Sequence, residues 1–397
     1  MKTKLFLCLA VILSVNARVV AANLPFDLRN GSSDQSIFRM FDHHTGWARG
    51  TNGVLRTTDG GSSWQTVLRA APREPLGCFF YDANTAWVAV GIMDDATNAT
   101  IFRTRDAGKT WQHAEISETS PILECLFSFP SRTNGWLMVV PDHAMNSEPG
   151  ILYHSTDSGQ TWQMVNSGQW FEDQDTLKPV SDWSQPHLPF CGAILFQNNS
   201  AGWLVGGDTT TTPNYLFSTS DGGKGWKGRA LPFPASFGPG RMVPFGLPCF
   251  FPNGGKSGIL AANFRPQNPD STNTPTIIYH TRDGGMSWQP GQPIFEGTCS
   301  FYNASEGWLW RNESLWNSRP AKGTLFRTHD GGVSWTEVRA EKSLADVLKL
   351  GLRVGQLEFV DDQSGWAVAR GNSLDAQLLQ TSDGGKVWAE LPAQIVR

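Results

Sequence analysis

Thr57-Thr58-Asp59-Gly60-Gly61-Ser62-Ser63-Trp64 reads as a hairpin turn with an aromatic plug. An Asp two residues after Ser or Thr can hydrogen-bond the amides ahead of it, and paired glycines reach the positive φ that a tight turn demands. Val54-Leu55 before the turn and Trp64-Gln65-Thr66-Val67 after it read as the flanking strands. The pattern Ser/Thr-x-Asp-x-Gly-x-x-Trp returns at Asp106, Asp157, Asp221, Asp283, Asp330 and Asp383, each followed by its own Trp, from Trp111 to Trp388. The seven copies are spaced 47 to 64 residues apart, and a four-stranded propeller blade is a repeating unit of that size. The expected fold is all-β: a seven-bladed β-propeller of four-stranded antiparallel blades.

A second repeat fills in the blade. Gly46-Trp47, Ala86-Trp87, Gly135-Trp136, Gly202-Trp203, Gly307-Trp308 and Gly365-Trp366 each precede a turn phrase, and the fifth blade has Gly258-Ile259 instead. A short apolar run comes before each dipeptide, with Phe80, Phe196, Phe301 and Phe359 at one shared position. Strand A is therefore the apolar run, strand B starts at Gly-Trp, strand C leads into the Asp turn and strand D starts at the Trp that follows it. Arg39 and Glu358 occupy the same strand A position in blades one and seven; closure of the ring could pair them across the seam. Leu24 to Leu28 is a possible extra strand at that seam.

The turn phrase resembles the Asp box of the bacterial neuraminidase repeat. Its pairing with Gly-Trp is most similar to the photosystem II stability and assembly factor family and its bacterial relatives, over about residues 36 to 390. Sialidase-superfamily propellers are more distant. The box residues Asp59, Asp106, Asp157, Asp221, Asp283, Asp330 and Asp383 then read as structural. Copies four and seven carry Gly225 and Val387 where Ser or Thr is usual, and copies two and three carry Ala107 and Ser158 in place of the first Gly. Asp boxes occur in enzymes, receptors and assembly factors alike, so the motif speaks for fold more than for function.

Residues 1–22, with Lys2, Lys4, an apolar run from Leu5 to Val15 and small residues near Ala17 and Ala22, read as a cleavable signal peptide. The run is too short to anchor in a bilayer. Residues 23–397 would then form one secreted or periplasmic propeller domain, with no membrane insertion after cleavage, expected to be a monomer. Cys78, Cys125, Cys191, Cys249 and Cys299 sit in apolar stretches and read as buried free thiols, in a chain long enough to need no disulfide staples. A net charge of −4 gives no nucleic-acid footprint. The eight histidines show no metal-ligand spacing and each Gly-Gly pair belongs to a hairpin, so neither a metal nor another cofactor is expected.

Topology assigns a working face. In an up-and-down blade the A–B and C–D turns share one face, and the B–C loops and D–A connections share the other. The first face carries uniform short turns. Length variation falls on the second, as in 165–189, 227–243, 264–276, 311–323 and 336–354, and such loops on a rigid scaffold are the usual location of a site. Four tryptophans outside the repeats, Trp170, Trp183, Trp310 and Trp316, map there; they could contact a ligand or pin the loops. Arg49, Arg265, Arg311 and Arg370 lie at or near the end of strand B, and Arg241 and Arg353 lead into strand A from the same side. Together they suit a carboxylate-bearing partner, though acids such as Asp361 and Asp362 could neutralise part of the field. The assembly-factor resemblance implies an arginine-rich binding patch as well.

Sialidase chemistry, as that resemblance implies it, needs a nucleophilic Tyr paired with Glu, and none of the five tyrosines has an evident Glu partner. No catalytic residue is assigned. The expected function is a non-catalytic scaffold that binds a segment of an exported or membrane protein, or a glycan. The alternative is a carbohydrate-active glycoside hydrolase or glycan-binding propeller, with Glu172, Asp173, Asp175 and Asp182 as candidate acids.

Overall fold

A computed structural model describes residues 38–70, 75–92, 95–141, 150–167, 191–206, 216–229, 231–232, 234, 240–244, 246–251, 255–266, 275–311, 323–349, 352–370 and 376–396. Seven antiparallel sheets follow one another along the chain. Blade one runs Phe38–Met40, Gly46–Gly50, Gly53–Thr57 and Ser63–Arg69; blade seven runs Arg353–Phe359, Gly365–Arg370, Ala376–Thr381 and Ala389–Glu390. Blade five departs from the simple pattern: its inner strand is split into Gly240–Pro244 and Cys249–Phe250, both paired with a long strand B, Gly258–Pro266.

The box is a closed hydrogen-bond unit. In the first copy Thr57 Oγ1 donates to Asp59 Oδ1 (2.9 Å) and accepts from the Gly61 amide (2.9 Å). The Ser63 amide and hydroxyl reach the two Asp59 oxygens at 2.9 and 2.6 Å, and the Trp64 indole donates to Gly61 O at 3.0 Å. Gly60 and Gly61 take φ of 74° and 95°, and Ala107 and Ser158 accept the same left-handed geometry at 64° and 72°. In every blade the box backbone also donates to the A–B turn, as Gly60 N does to His44 O (2.9 Å) and Gly384 N to Gln363 O (2.8 Å). That bond fixes the A–B turns and boxes on one face.

Neighbouring blades interlock through the two motifs. In four blades the Gly-Trp indole reaches the box of the following blade: Trp87 to Ser158 O, Trp136 to Gly222 O, Trp308 to Gly384 O and Trp366 to Gly60 O, at 2.8–3.2 Å, while Trp47 reaches the A–B turn of blade two at Asp82 O (3.1 Å). The Trp366 bond closes blade seven onto blade one. Gln394–Val396 adds a fifth strand, parallel to Ser63–Gln65 on the outer edge of blade one. The expected extra strand at Leu24 to Leu28 lies outside the described residues, as do the candidate signal residues 1–22.

At the seam the arrangement differs from the expected ion pair. Glu358 Oε2 accepts from the Met40 amide at 3.1 Å, and Arg39 Nη1 donates to Phe80 O in blade two at 3.1 Å. Each side chain bridges to the next inner strand, because an amide or carbonyl of that strand is nearer than the opposing charge. Ser128 and Ser300 use the same strand A position to accept from the Phe196 and Phe359 amides, at 2.6 and 2.9 Å. Cys78 and Cys125 are buried free thiols, as read from sequence; Cys299 is half-buried and Cys249 is exposed. Cys249 lies on the inner strand of blade five, where the Arg39 charge reaches it from blade one. It therefore borders the lumen, where solvent touches a thiol that protein still surrounds, and that burial pushes its pKa up to about 11.

Candidate functional site

The start of strand A and the end of strand B meet on the face opposite the boxes, and this junction gathers the arginines. In blade seven the antiparallel register sets Arg353 directly opposite Arg370. In blade five it sets Arg241 directly opposite Arg265. Arg311 ends strand B of blade six between them (Gly307–Arg311), opposite Gly297, and is exposed. The register thus brings five arginine positions to one end of three consecutive blades.

The other sequence candidates are placed differently. Arg49 is half-buried near the end of a short strand B whose hairpin turns at once, so blade one lacks the long loop of its neighbours. Trp310 is 2% exposed and packs with Leu344, Leu352 and Val354. Its ring pins the loop rather than facing a ligand. Trp170, Trp183 and Trp316, and the acids Glu172, Asp173, Asp175 and Asp182, lie outside the described residues. Asp361 and Asp362 sit in the A–B turn of blade seven on the box face, where Asp361 pairs with His43 at 2.5 Å. They cannot neutralise the arginines at the far end of the strands. Exposed Glu296, next to Gly297, does bring one acid to the arginine end.

Within 336–354, read from sequence as length variation on the working face, the described residues 338–349 form a strap along the edge of blades six and seven. The Glu341 and Lys342 amides donate to Lys386 O, and Trp388 N returns a bond to Lys342 O. A one-turn helix, Leu344–Val347, follows, capped reciprocally by Ser343 and Asp346. Lys349 then pairs with Glu390 at 2.7 Å. Two capping residues spaced for a capping box were the sequence signal for this turn.

Two chemistries bear on catalysis. The box carboxylates are fully engaged; the Thr110 hydroxyl and amide hold Asp106 down to about 2, and Ser287 does the same for Asp283. The expectation that no tyrosine has a Glu partner is corrected: Tyr153 Oη donates to Glu118 Oε1 at 2.5 Å. The pair joins strand C of blade three (Ile151–Ser155) to the D–A connection of blade two. Burial pushes both groups up, in the direction of a neutral phenol. Tyr279 holds the equivalent place in blade five and donates to Pro232 O at 2.9 Å. The repeat thus uses a strand C tyrosine as a strut to the preceding blade. Among the described residues no group of three or more His, Cys, Asp or Glu is placed to hold a metal, and no helix is long and apolar enough to cross a membrane.

Comparison with known proteins agrees with this architecture. A family model described as sortilin, neurotensin receptor 3, matches residues 52–174. A photosystem II assembly lipoprotein of Synechococcus sp. is 23% identical over 49% of this chain and 62% of its own length. The chloroplastic photosystem II stability/assembly factor of Arabidopsis thaliana is 22% identical over 74% of this chain and 62% of its own. A xyloglucanase of Acetivibrio thermocellus is 25% identical over 44% of this chain and 22% of its own. The chain thus spans less than two thirds of these curated relatives. Among solved structures, a polysaccharide lyase described as an ulvan lyase superposes with TM-score 0.50 at 11% identity, covering 95% of this chain and 96% of that one. The chain is an Asp-box propeller similar in sequence to both assembly factors and a glycoside hydrolase.

Proposed function

We propose that this chain is a binding scaffold that holds an acidic polypeptide segment on the arginine end of blades five to seven and performs no chemistry itself. The observation that carries the reading is the cross-strand register that sets Arg353 opposite Arg370 in blade seven, beside exposed Arg311 at the end of strand B in blade six. Arginines gathered at one end of neighbouring blades favour an anionic partner. Guanidinium forks also suit carboxylates better than ammonium groups do. Similarity to assembly factors supports a polypeptide client, and the curated names, a lipoprotein and a chloroplastic protein, support an extracytoplasmic setting that fits the signal-like residues 1–22.

The test is binding of a fluorescein-labelled Asp/Glu-rich peptide by anisotropy at low salt. Arg311→Ala with Arg370→Ala removes two charge-assisted contacts and is expected to weaken binding about 10-fold or more. Raising the salt should reduce the difference, because exposed pairs are screened. Equal affinity of the double variant and the parent at low salt would refute the arginine patch. The xyloglucanase similarity supports a second reading, a glycan-directed hydrolase. Release of reducing ends from xyloglucan by the purified chain would replace the scaffold reading with that one.

A further inference from the structure

The exposed arginine of blade six does not stand alone. Its guanidinium lies 5.0 Å over the ring of Phe295, and Phe295 packs against Phe326 with ring centroids 4.4 Å apart. Both rings are half-buried. Phe295 belongs to the D–A connection between blades five and six, a segment that could have been slack. The preceding residue, Ile294, is stitched to strand C of blade five by two backbone bonds, Thr276 N to Ile294 O at 3.0 Å and Ile294 N to Thr276 O at 2.8 Å. Thr276 is fully buried, so the anchor belongs to the core. Phe295 therefore presents a ring from fixed backbone, and Arg311 rests on it.

We infer that Phe295 is a positioning residue and an apolar subsite: it holds the Arg311 fork for a carboxylate and selects acidic segments with an aromatic side chain beside the acid. This inference rests on the arginine-patch reading above and narrows its partner. An arginine stacked on an aromatic face loses less side-chain freedom when its fork engages, since its plane is already fixed. The part of the two rings left open is the right chemistry for a second aromatic ring, in offset or edge-on contact. Charge complementarity to exposed Arg311, with Arg353 and Arg370 at the same end of the next blade, fixes the sign of the occupant.

Two labelled peptides of equal charge test this, one of Gly, Ser and Asp only, the other with one Ser replaced by Phe next to an Asp. The parent chain is expected to bind the Phe-bearing peptide about five-fold more tightly. Phe295→Ala should bring the two peptides to parity, while Phe295→Leu, which keeps an apolar contact to Phe326, should retain part of the preference and the parent's melting temperature. Parity of the two peptides on the parent chain would overturn the inference and leave the arginine patch standing. Loss of both peptides equally in Phe295→Leu would assign Phe295 to packing alone. Failure of both peptides to bind the parent at low salt would remove the arginine patch and this inference with it.

Discussion

Replacing Trp366 by Ala is expected to cost about 3–5 kcal/mol, the usual penalty for emptying a buried aromatic site. The ring of Trp366 is fully buried in a cluster that mixes Val368, Ala376 and Leu378 of blade seven with Phe38, Met40, Leu55 and Trp64 of blade one. Its indole N–H donates to Gly60 O at 2.8 Å, so one side chain closes the ring by packing and by a hydrogen bond to the first box. The two contributions separate by comparison. Trp366→Phe keeps most of the ring and leaves Gly60 O without its donor, for about 1–2 kcal/mol. Trp203 is the internal control: it is equally enclosed at 3% exposure, yet its indole nitrogen has no acceptor. Chemical denaturation of the two Phe variants should show the larger loss for Trp366. Equal losses would mean that the indole bond to the box adds nothing to the seam.

Legibility from sequence followed local chemistry. Each box was readable because its donors and acceptors lie within four residues of Asp, as with Thr57, Asp59 and Ser63. The blade count and the two faces followed directly. The reason for the second repeat was not readable, because Trp366 and Gly60 are 306 residues apart in the chain and meet only when the ring closes. Arg39 and Glu358 were correctly placed at the seam, but each found a backbone partner on a neighbouring strand, and aligned register carries no information on side-chain reach. Tyr153 and Glu118 were missed for a similar reason: their contact crosses between blades. The arginine positions at the strand ends were readable from the repeat, yet the register that sets Arg353 opposite Arg370 was not. Of the two readings open for Trp310 the packing one holds, because a loop-bearing face still has a packed floor.

Close approach between blades sets a different limit on the sequence. A Cβ on Gly77, in strand A of blade two (Pro75–Phe80), would lie 1.8 Å from Cys125 O in blade three. The obstacle is backbone, which cannot rotate away as a side chain could. Gly77→Ala therefore has to move two inner strands apart, and the variant is expected to melt well below the parent by differential scanning fluorimetry. An unchanged melting temperature would show that these strands are free to separate.

Glu358→Gln is expected to stabilise the protein at pH 8 and to do little at pH 4.5. Burial at the lumen pushes the Glu358 carboxyl up to about 7 from an ordinary 4.5; the Arg39 charge and the Met40 amide offset only part of that rise. A carboxyl raised in the folded state binds more protons there than in the unfolded chain between those two values. Stability from this group is therefore fully present below about pH 4.5 and is lost as the pH climbs through 7. The loss amounts to about 2–3 kcal/mol after allowance for solvent in the lumen. Gln keeps an oxygen for the Met40 amide and never ionises, so it removes the penalty while preserving the bridge. The box aspartates slope the other way, since Asp106 and Asp283 are held near 2, but they are common to both proteins and cancel in the difference. Denaturation midpoints of parent and variant should thus coincide near pH 4.5 and diverge steadily toward pH 8, with the variant higher. A difference independent of pH would place the Glu358 carboxyl in ordinary solvent, and the seam would then be held by Trp366 and the parallel strand Gln394–Val396 without a titrating member.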